Sequence, residues 1–448
     1  MLAHRRIMHS LLPVEALKHQ LDSLCHTAKK GFIRLSTPCQ VGNLMGWLNA
    51  QSVYPRLYWQ SRDEGAVEYA ALGVVKAFDS LAALQADLAT LADNGGEQPD
   101  YFGGMAFDPE APGWQHFPGC YFLLPRIVLM RHQGEATLSL NLRFDDRCPE
   151  AEIAQARACL AALEEEQPLL CLLPHVYQRE DCPTLKEWSA SVVQATHPDQ
   201  LGHTPKVVLS RETCLTTPET PSPWSLLARW QAGTVDCFHF GVQLTPHEAF
   251  IGCPPERLYK REDRHLVSEA LAGTTRRGQD AQQDQTLAGK LLADKKNNLE
   301  NQCVYQQLLT QLEPLSSQVQ MGEAHIVKLR SVQHIRRLIH AELHSHITDQ
   351  QLLAVLPPTP AVGGVPRESS LAFIRQHERH KRGWYAGVFG RISHASSDLA
   401  VAIRCAHISP KTIRLYAGAG IVAGSQPEEE WRELDTKIAD IMSLLGMG

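Results

Sequence analysis

From residue 206 to residue 422 the sequence returns repeatedly to short runs of β-branched and aromatic residues, broken by turns, with helical stretches grouped between them. Such runs at 206–213, 238–244, 249–253 and 265–271 predict strands, the second and third joined around Thr245-Pro246. Apolar spacing predicts helices at 224–231, 280–294, 296–312, 349–356 and 368–377. Further strands are expected at 317–321 and 326–335. Three consecutive antiparallel strands are expected at 384–392, 399–407 and 412–422, ahead of a last helix rich in acid. Hairpin-linked strands pair antiparallel, whereas a Rossmann fold alternates strands with helices. The pattern therefore predicts an α+β fold on antiparallel sheets.

The first half reads differently. Helices are expected at 14–25 and 81–91, and strands at 57–59, 67–75 and 122–130, with loops at 103–109 and 112–118. No constellation of ionisable residues there demands a chemical role. We expect residues 1–175 to be a framework half and 176–448 the catalytic half, the two intertwined, with 160–174 as the joint. A net charge of −6 and the lack of a basic stripe exclude a nucleic-acid partner. No run is long and apolar enough for a membrane span, and the first 21 residues lack a signal-peptide core. Twelve cysteines lie scattered with no CxxC pair, which predicts reduced thiols and a cytoplasmic location. His344 and His346 have no third ligand nearby and are expected at an exposed helix-to-loop junction.

The stretch 415–437, LYAGAGIVAGSQPEEEWRELDTK, carries the densest chemistry. Gly418-Ala419-Gly420 reads as a small-residue turn whose amides form a nest for an anion. Glu430 and Glu433 share a helix face with Lys437, a pairing that suits a divalent metal bridging an anionic substrate. An acidic first turn at the positive end of a helix explains the same residues. Lys206 opens an apolar strand, where it is either a desolvated base or a strand-end lysine reaching for water. Glu256 follows two prolines in GCPPERL, which fits a rigidly held general acid or a helix first turn. Glu300 lies beside the apolar face of its helix, near a metal or simply solvated. Arg404 sits inside the apolar run LAVAIRCA, where an anion or an internal ion pair must meet it. Tyr385 and His334 are weaker singles, each equally an ordinary core residue.

Together these stretches resemble the chorismate-utilising enzymes, most closely the menaquinone-type isochorismate synthases. The resemblance rests on KVVLSR at 206–211, PERL at 255–258, EALAGT at 269–274, VQH at 332–334, PTPAVGG at 358–364, WYAG at 384–387 and GAGIV…EEEWRELDTK. Weaker likeness continues upstream in WLNAQSVYPRLYWQSRDE, GGMAFDP and FLLPRIVLMR. The family implies the chorismate-binding, anthranilate synthase component I-like fold, two large antiparallel sheets flanked by helices. It implies Mg²⁺ near Glu300, Glu430 and Glu433, with the ring carboxylate of chorismate helped by Gly273 and Thr274. Arg404, Tyr385, the amides of Gly418, Ala419 and Gly420, and Lys437 are implied as the clamp on the second carboxylate, with His334 at the site.

By the same resemblance, ammonia-using relatives have glutamine where Lys206 stands, and some carry a lysine nucleophile where this chain has Ala272. Lys206 is thus implied as the base for water, Glu256 as the acid for the leaving hydroxyl, and isochorismate as the product. No glutamine amidotransferase subunit is then required. Salicylate synthesis, with added pyruvate elimination, and siderophore-directed isochorismate synthesis are the alternatives, and a catalytically dead scaffold is the non-enzymatic one. The segment before Lys206, DQLGHTP, and Pro357 both depart from the family's pattern.

Overall fold

The computed structural model describes residues 13–24, 30–93, 97–111, 113–145, 149–169 and 174–447. Residues 1–12, Cys25, Pro112 and the 170–173 part of the expected joint lie outside the described residues.

Antiparallel pairing organises the chain into two sheets. Twelve described strands form the first. From edge to edge it runs Gly31–Cys39, Glu135–Phe144, Ile127–His132, Glu68–Leu72, Arg56–Gln60 and His239–Thr245. It continues through Glu248–Gly252, Cys405–Ser409, Thr412–Val422, Lys206–Thr216 and Gly364–Val365, with Gln178–Cys182 also pairing to Lys206–Thr216. The second sheet, of ten described strands, begins Ser316–Met321, Val332–Leu343, His265–Arg276, Arg257–Glu262 and Ser396–Val401. Val388–Ile392, Tyr101–Met105, Cys120–Leu124 and Lys76–Phe78 complete its path, and His325–Lys328 pairs off it. Both sheets take strands from before and after residue 175.

The sheets meet through aromatic rings, because large flat side chains bury the most apolar surface per residue. Trp59 and Phe240 of the first sheet both touch Phe389 of the second, and Phe240 stacks on Phe389 at 4.6 Å. Phe250 meets Trp384 edge-on. All five rings are buried.

Four connections carry the chain straight from one sheet to the other: Leu72 to Lys76, Leu124 to Ile127, Gly252 to Arg257 and Val401 to Cys405. Three apolar runs that read as single strands are therefore divided. The run expected at 122–130 splits at Pro125-Arg126, and that at 67–75 stops at Leu72, before a left-handed Gly73. The run at 399–407 splits around Arg404, itself left-handed at φ 49°. Arg404 is thus at a crossover, not inside a strand. Of the three strands expected in succession at 384–422, the chain places Val388–Ile392 and Ser396–Val401 in one sheet and Cys405–Ser409 and Thr412–Val422 in the other. The run at 326–335 is a hairpin, with Lys328 opposite Gln333. His344 and His346 follow a strand rather than a helix.

Helices cover the outer faces. Asp294 ends Ala281–Ala293 and caps Lys295–Leu312, its carboxylate accepting from Asn297 N at 2.8 Å. That cap fixes the turn from which Lys296, Asn297 and Glu300 project. The last helix, Pro427–Leu444, starts with proline and three glutamates, as its positive end favours. Because Phe389 joins both sheets, Phe389→Ala should cost about 3–5 kcal/mol in equilibrium urea unfolding; a loss under about 1 kcal/mol would place the core elsewhere.

Candidate active site

Two of these crossovers, Gly252 to Arg257 and Val401 to Cys405, line a cavity of about 650 Å³, counted to its open mouth. Its floor is the ladder between Lys206–Thr216 and Thr412–Val422, where Val208 faces Gly420 and Ser210 faces Gly418. The Gly418 to Gly420 segment is therefore paired strand, not a turn or a free nest. Its glycines matter because other groups come close. A Cβ on Gly420 would stand 2.6 Å from Glu300 Oε1, and one on Gly418 would stand 2.8 Å from the Tyr385 hydroxyl.

One wall is the strand His265–Arg276. It was expected to end at residue 271, but it continues through a bulge between Ala272 and Thr274 that Gly273 permits at φ 82°. The bulge presents Ala272, Gly273 and Thr274 together to the cavity. Asn297 fixes it by accepting from Thr274 N at 3.1 Å, and Thr274 Oγ1 lies 3.0 Å from His334 Nδ1. Burial, with the charges of Arg404 and Lys437, pushes His334 down to about 3, so it is neutral at ordinary pH.

Across the cavity, Tyr385 stacks on Tyr416 at 5.1 Å. Arg404 donates to the main-chain carbonyl of Lys437. Lys437 in turn donates to Gly418 O at 2.8 Å and pairs with Glu433 at 2.6 Å. Glu256 also lines the cavity, in the loop entering Arg257–Glu262 rather than in a helix. It is 2% exposed, and its nearest hydrogen-bond partner is the Thr359 hydroxyl at 3.4 Å. Burial, then the charge of Glu269, pushes its carboxyl up to about 8. Glu256 is thus a protonated acid at neutral pH.

Lys206 does not line the cavity. It is 1% exposed and lies behind Glu300, with Nζ 3.1 Å from Glu300 Oε1. Burial opposes the charge of Glu300, but Lys206, Lys437 and Lys296 outweigh it and hold its pKa below the ordinary carboxylate range. Glu430 pairs with Lys296 at 2.9 Å and is held above the ordinary range by burial, with Glu433 adding to the effect. Glu430 and Glu433 stand outside the cavity lining, as do Ala419 and Gly420.

The common point implied for Glu300, Glu430 and Glu433 is not formed. Among the described residues no three His, Cys, Asp or Glu side chains are grouped to hold a metal ion. Three like-charged carboxylates repel, and each has settled on an ammonium. The donor chemistry still fits a hard divalent cation, since all three are carboxylates and each oxygen pair already receives a positive charge.

Several participants escaped the sequence reading. Lys296 lies four residues before Glu300 on one helix, a spacing that could have found it. Thr359, Glu269 and Arg62 lie in the stretches PTPAVGG, EALAGT and WLNAQSVYPRLYWQSRDE, yet no role was read for them. Arg62 also corrects the view that the first half brings no ionisable group to the chemistry, since its charge bears on Glu256.

The cavity brings an arginine, a lysine and a buried carboxylic acid together, a lining chemically suited to a small anion. The chain belongs to the chorismate-binding enzymes: the family described as Chorismate binding enzyme matches residues 17–446. It is similar to isochorismate synthase MenF of Escherichia coli (strain K12), 36% identical over 408 residues that cover 90% of each chain. The solved structure of MenF, the menaquinone-specific isochorismate synthase from Escherichia coli, superposes with a TM-score of 0.88 at 34% identity, covering 96% of this chain and 98% of that one. Anthranilate synthase component I from Streptococcus pneumoniae TIGR4 shares the fold, with a TM-score of 0.66 at 19% identity over 93% of each chain.

The raised acid makes a stability prediction. Folded Glu256 keeps its proton to about pH 8, whereas the unfolded carboxyl loses it near its ordinary value of 4.5. Between those values the folded state binds more protons, so its contribution to stability falls as pH rises. Glu256→Gln should match wild type near about pH 4 and exceed it near about pH 9 in urea unfolding. A constant difference across that range would mean that Glu256 is ionised in the fold.

Proposed function

We propose that this chain is an isochorismate synthase, an isomerase that converts chorismate to isochorismate, and that its product feeds menaquinone biosynthesis. The observation that carries the reading is the protonated, buried Glu256 on a cavity whose nucleophile position is the inert Ala272. The family, and the MenF enzymes among its relatives, support the substrate and the pathway.

In this reading Lys206 takes a proton from water as the water oxygen bonds to ring carbon 2. The ring π electrons shift, the bond from carbon 4 to its hydroxyl breaks, and Glu256 gives its proton to the departing oxygen. One water enters and one leaves, so the reaction is an isomerisation. Arg404, Tyr385 and Lys437 hold a carboxylate of the substrate, while Thr274 and neutral His334 offer hydrogen bonds. Ala272 leaves room for water. Glu300, Glu430 and Glu433 would hold Mg²⁺, which supplies neutralisation and polarisation of the substrate's ring carboxylate when bound. With water as nucleophile no amidotransferase subunit is needed. We place the protein in the cytoplasm on its scattered, unpatterned cysteines. Among the described residues no helix is long and apolar enough to cross a membrane.

Purified protein incubated with chorismate and Mg²⁺ should give isochorismate alone, and excess chelator should abolish it. Salicylate with pyruvate would make the chain a salicylate synthase, and no turnover with metal present would sink the enzymatic reading. Lys206→Ala and Glu256→Gln should each lower kcat by about a hundredfold or more, with KM changing less than about threefold. Arg404→Ala should instead raise KM by about tenfold or more, because a carboxylate anchor acts in ground and transition states alike. A Lys206→Ala loss confined to KM would make Lys206 an anion holder.

A further inference from the structure

The upstream stretch Ser61-Arg62-Asp63 has no place in the mechanism above, yet it docks on Pro255-Glu256-Arg257. Arg62 meets Glu269 with two prongs, Nη1 to Oε1 at 2.8 Å and Nη2 to Oε2 at 2.5 Å, and its Nη1 also donates to the Pro255 carbonyl. Glu269 Oε1 accepts from Arg257 N at 2.8 Å. The peptide groups on both sides of Glu256 are thereby tied to one ion pair. Arg257 completes the dock by donating to Asp63 at 2.7 Å and to Ser61 at 3.3 Å. The Glu269 and Arg62 side chains are 1% and 7% exposed, so neither is a surface pair tuned by salt.

We propose that Arg62 and Glu269 form a positioning pair that fixes the backbone on both sides of Glu256 and so aims its carboxyl into the cavity. The proposal rests on the reading of Glu256 as the acid. Two-pronged pairing suits this task, because it fixes orientation as well as distance. A buried pair also loses more when one partner is removed than it contributes net, so evolution has little room to trim it. The charged groups facing Glu256 are Glu269, Lys206 and Arg62, with the Thr359 hydroxyl beside them. Glu269 pushes the carboxyl up and Arg62 pulls it down. The pair therefore has a signature that a purely structural contact lacks: removing either partner moves the acid in opposite directions.

The test uses the full chain as wild type, Glu269→Gln, Arg62→Lys and Arg62→Ala, with chorismate and Mg²⁺ from about pH 6 to about pH 10. The alkaline limb of kcat/KM reports loss of the acid's proton. It should fall by about half a unit or more in Glu269→Gln and rise in Arg62→Ala. In both, kcat should drop about tenfold or more with KM within about threefold. Arg62→Lys, which keeps the charge but not the two-pronged grip, should restore the limb and only part of the rate. A limb unmoved in Glu269→Gln, or losses confined to KM, overturns the proposal; should Arg62→Ala not fold, those two results decide it. The infrared carboxyl band of Glu256, assigned with Glu256→Gln, gives a readout free of turnover. It should titrate at about 8 in wild type and lower in Glu269→Gln. Wild type without turnover but with that shift would defeat the functional reading alone, and turnover without the shift would defeat this pairing alone.

Discussion

The register between Lys206–Thr216 and Thr412–Val422 is the contact on which the site depends. It sets Lys206 opposite Val422 and Val208 opposite Gly420, so the lysine runs past a residue with no side chain. A Cβ at Gly420 would lie 3.1 Å from Lys206 Cε as well as 2.6 Å from Glu300 Oε1. A slip of one residue would turn every side chain to the opposite face and take Lys206 away from Glu300. The same strand anchors the last helix. Arg211, fully buried, donates to Asp435 at 2.7 Å and lies over the Trp431 ring at 4.4 Å. Lys206 and the helix are thereby held in one frame, and Glu430, Glu433 and Lys437 share the helix that Arg211 grips.

Much of this frame was legible in the sequence, and what was missed has a common cause. Local periodicity found most helices and most strand positions, because each depends on neighbours a few residues away, but it missed Leu44–Ala50, Leu185–Ala195 and Pro198–His203 and read a loop from residue 103 where Tyr101–Met105 is a strand. It did not find the switches between sheets. Residues 122–130 and 399–407 are apolar on both sides of their crossovers, since each arm is covered on both faces once the sheets pack. A continuous apolar run then carries no mark of the bend within it. Pro125 was the one local clue in the first, and the left-handed backbone at Arg404 in the second could not be seen at all. Gly418 to Gly420 failed in the opposite sense. Glycines that read as a turn lie in a regular ladder, and their smallness serves the groups pressed against them.

The site divides along the same line. Lys206 and Arg404 stood out as charges in apolar runs, and Glu256 as an acid behind two prolines, each a local anomaly. Arg62 and Glu269 did not, because their meaning lies in a contact across 207 residues of chain. Ser61-Arg62-Asp63 is an ordinary polar turn until the fold sets it against Pro255-Glu256-Arg257. Reading residues 1–175 as framework hid that contact, because sheets that interleave strands from both halves bring a loop of one against Pro255 and Glu256 of the other.

The assignment of acid and counter-ion finally rests on two carboxyl groups that share a cavity and are pushed apart by their surroundings. Glu300 meets three ammoniums, which overcome its burial and keep it ionised. Glu256 is more enclosed, 2% exposed against 22% for the Glu300 side chain, and has only a long hydroxyl contact, while the carboxylate of Glu269 works against its ionisation. Exchanging the charges would put a proton on the carboxyl that Lys206 meets at 3.1 Å, and a charge on the carboxyl where burial and Glu269 outweigh Lys206 and Arg62. Each exchange runs against the local field. The structure therefore keeps the proton on Glu256 and the negative charge on Glu300.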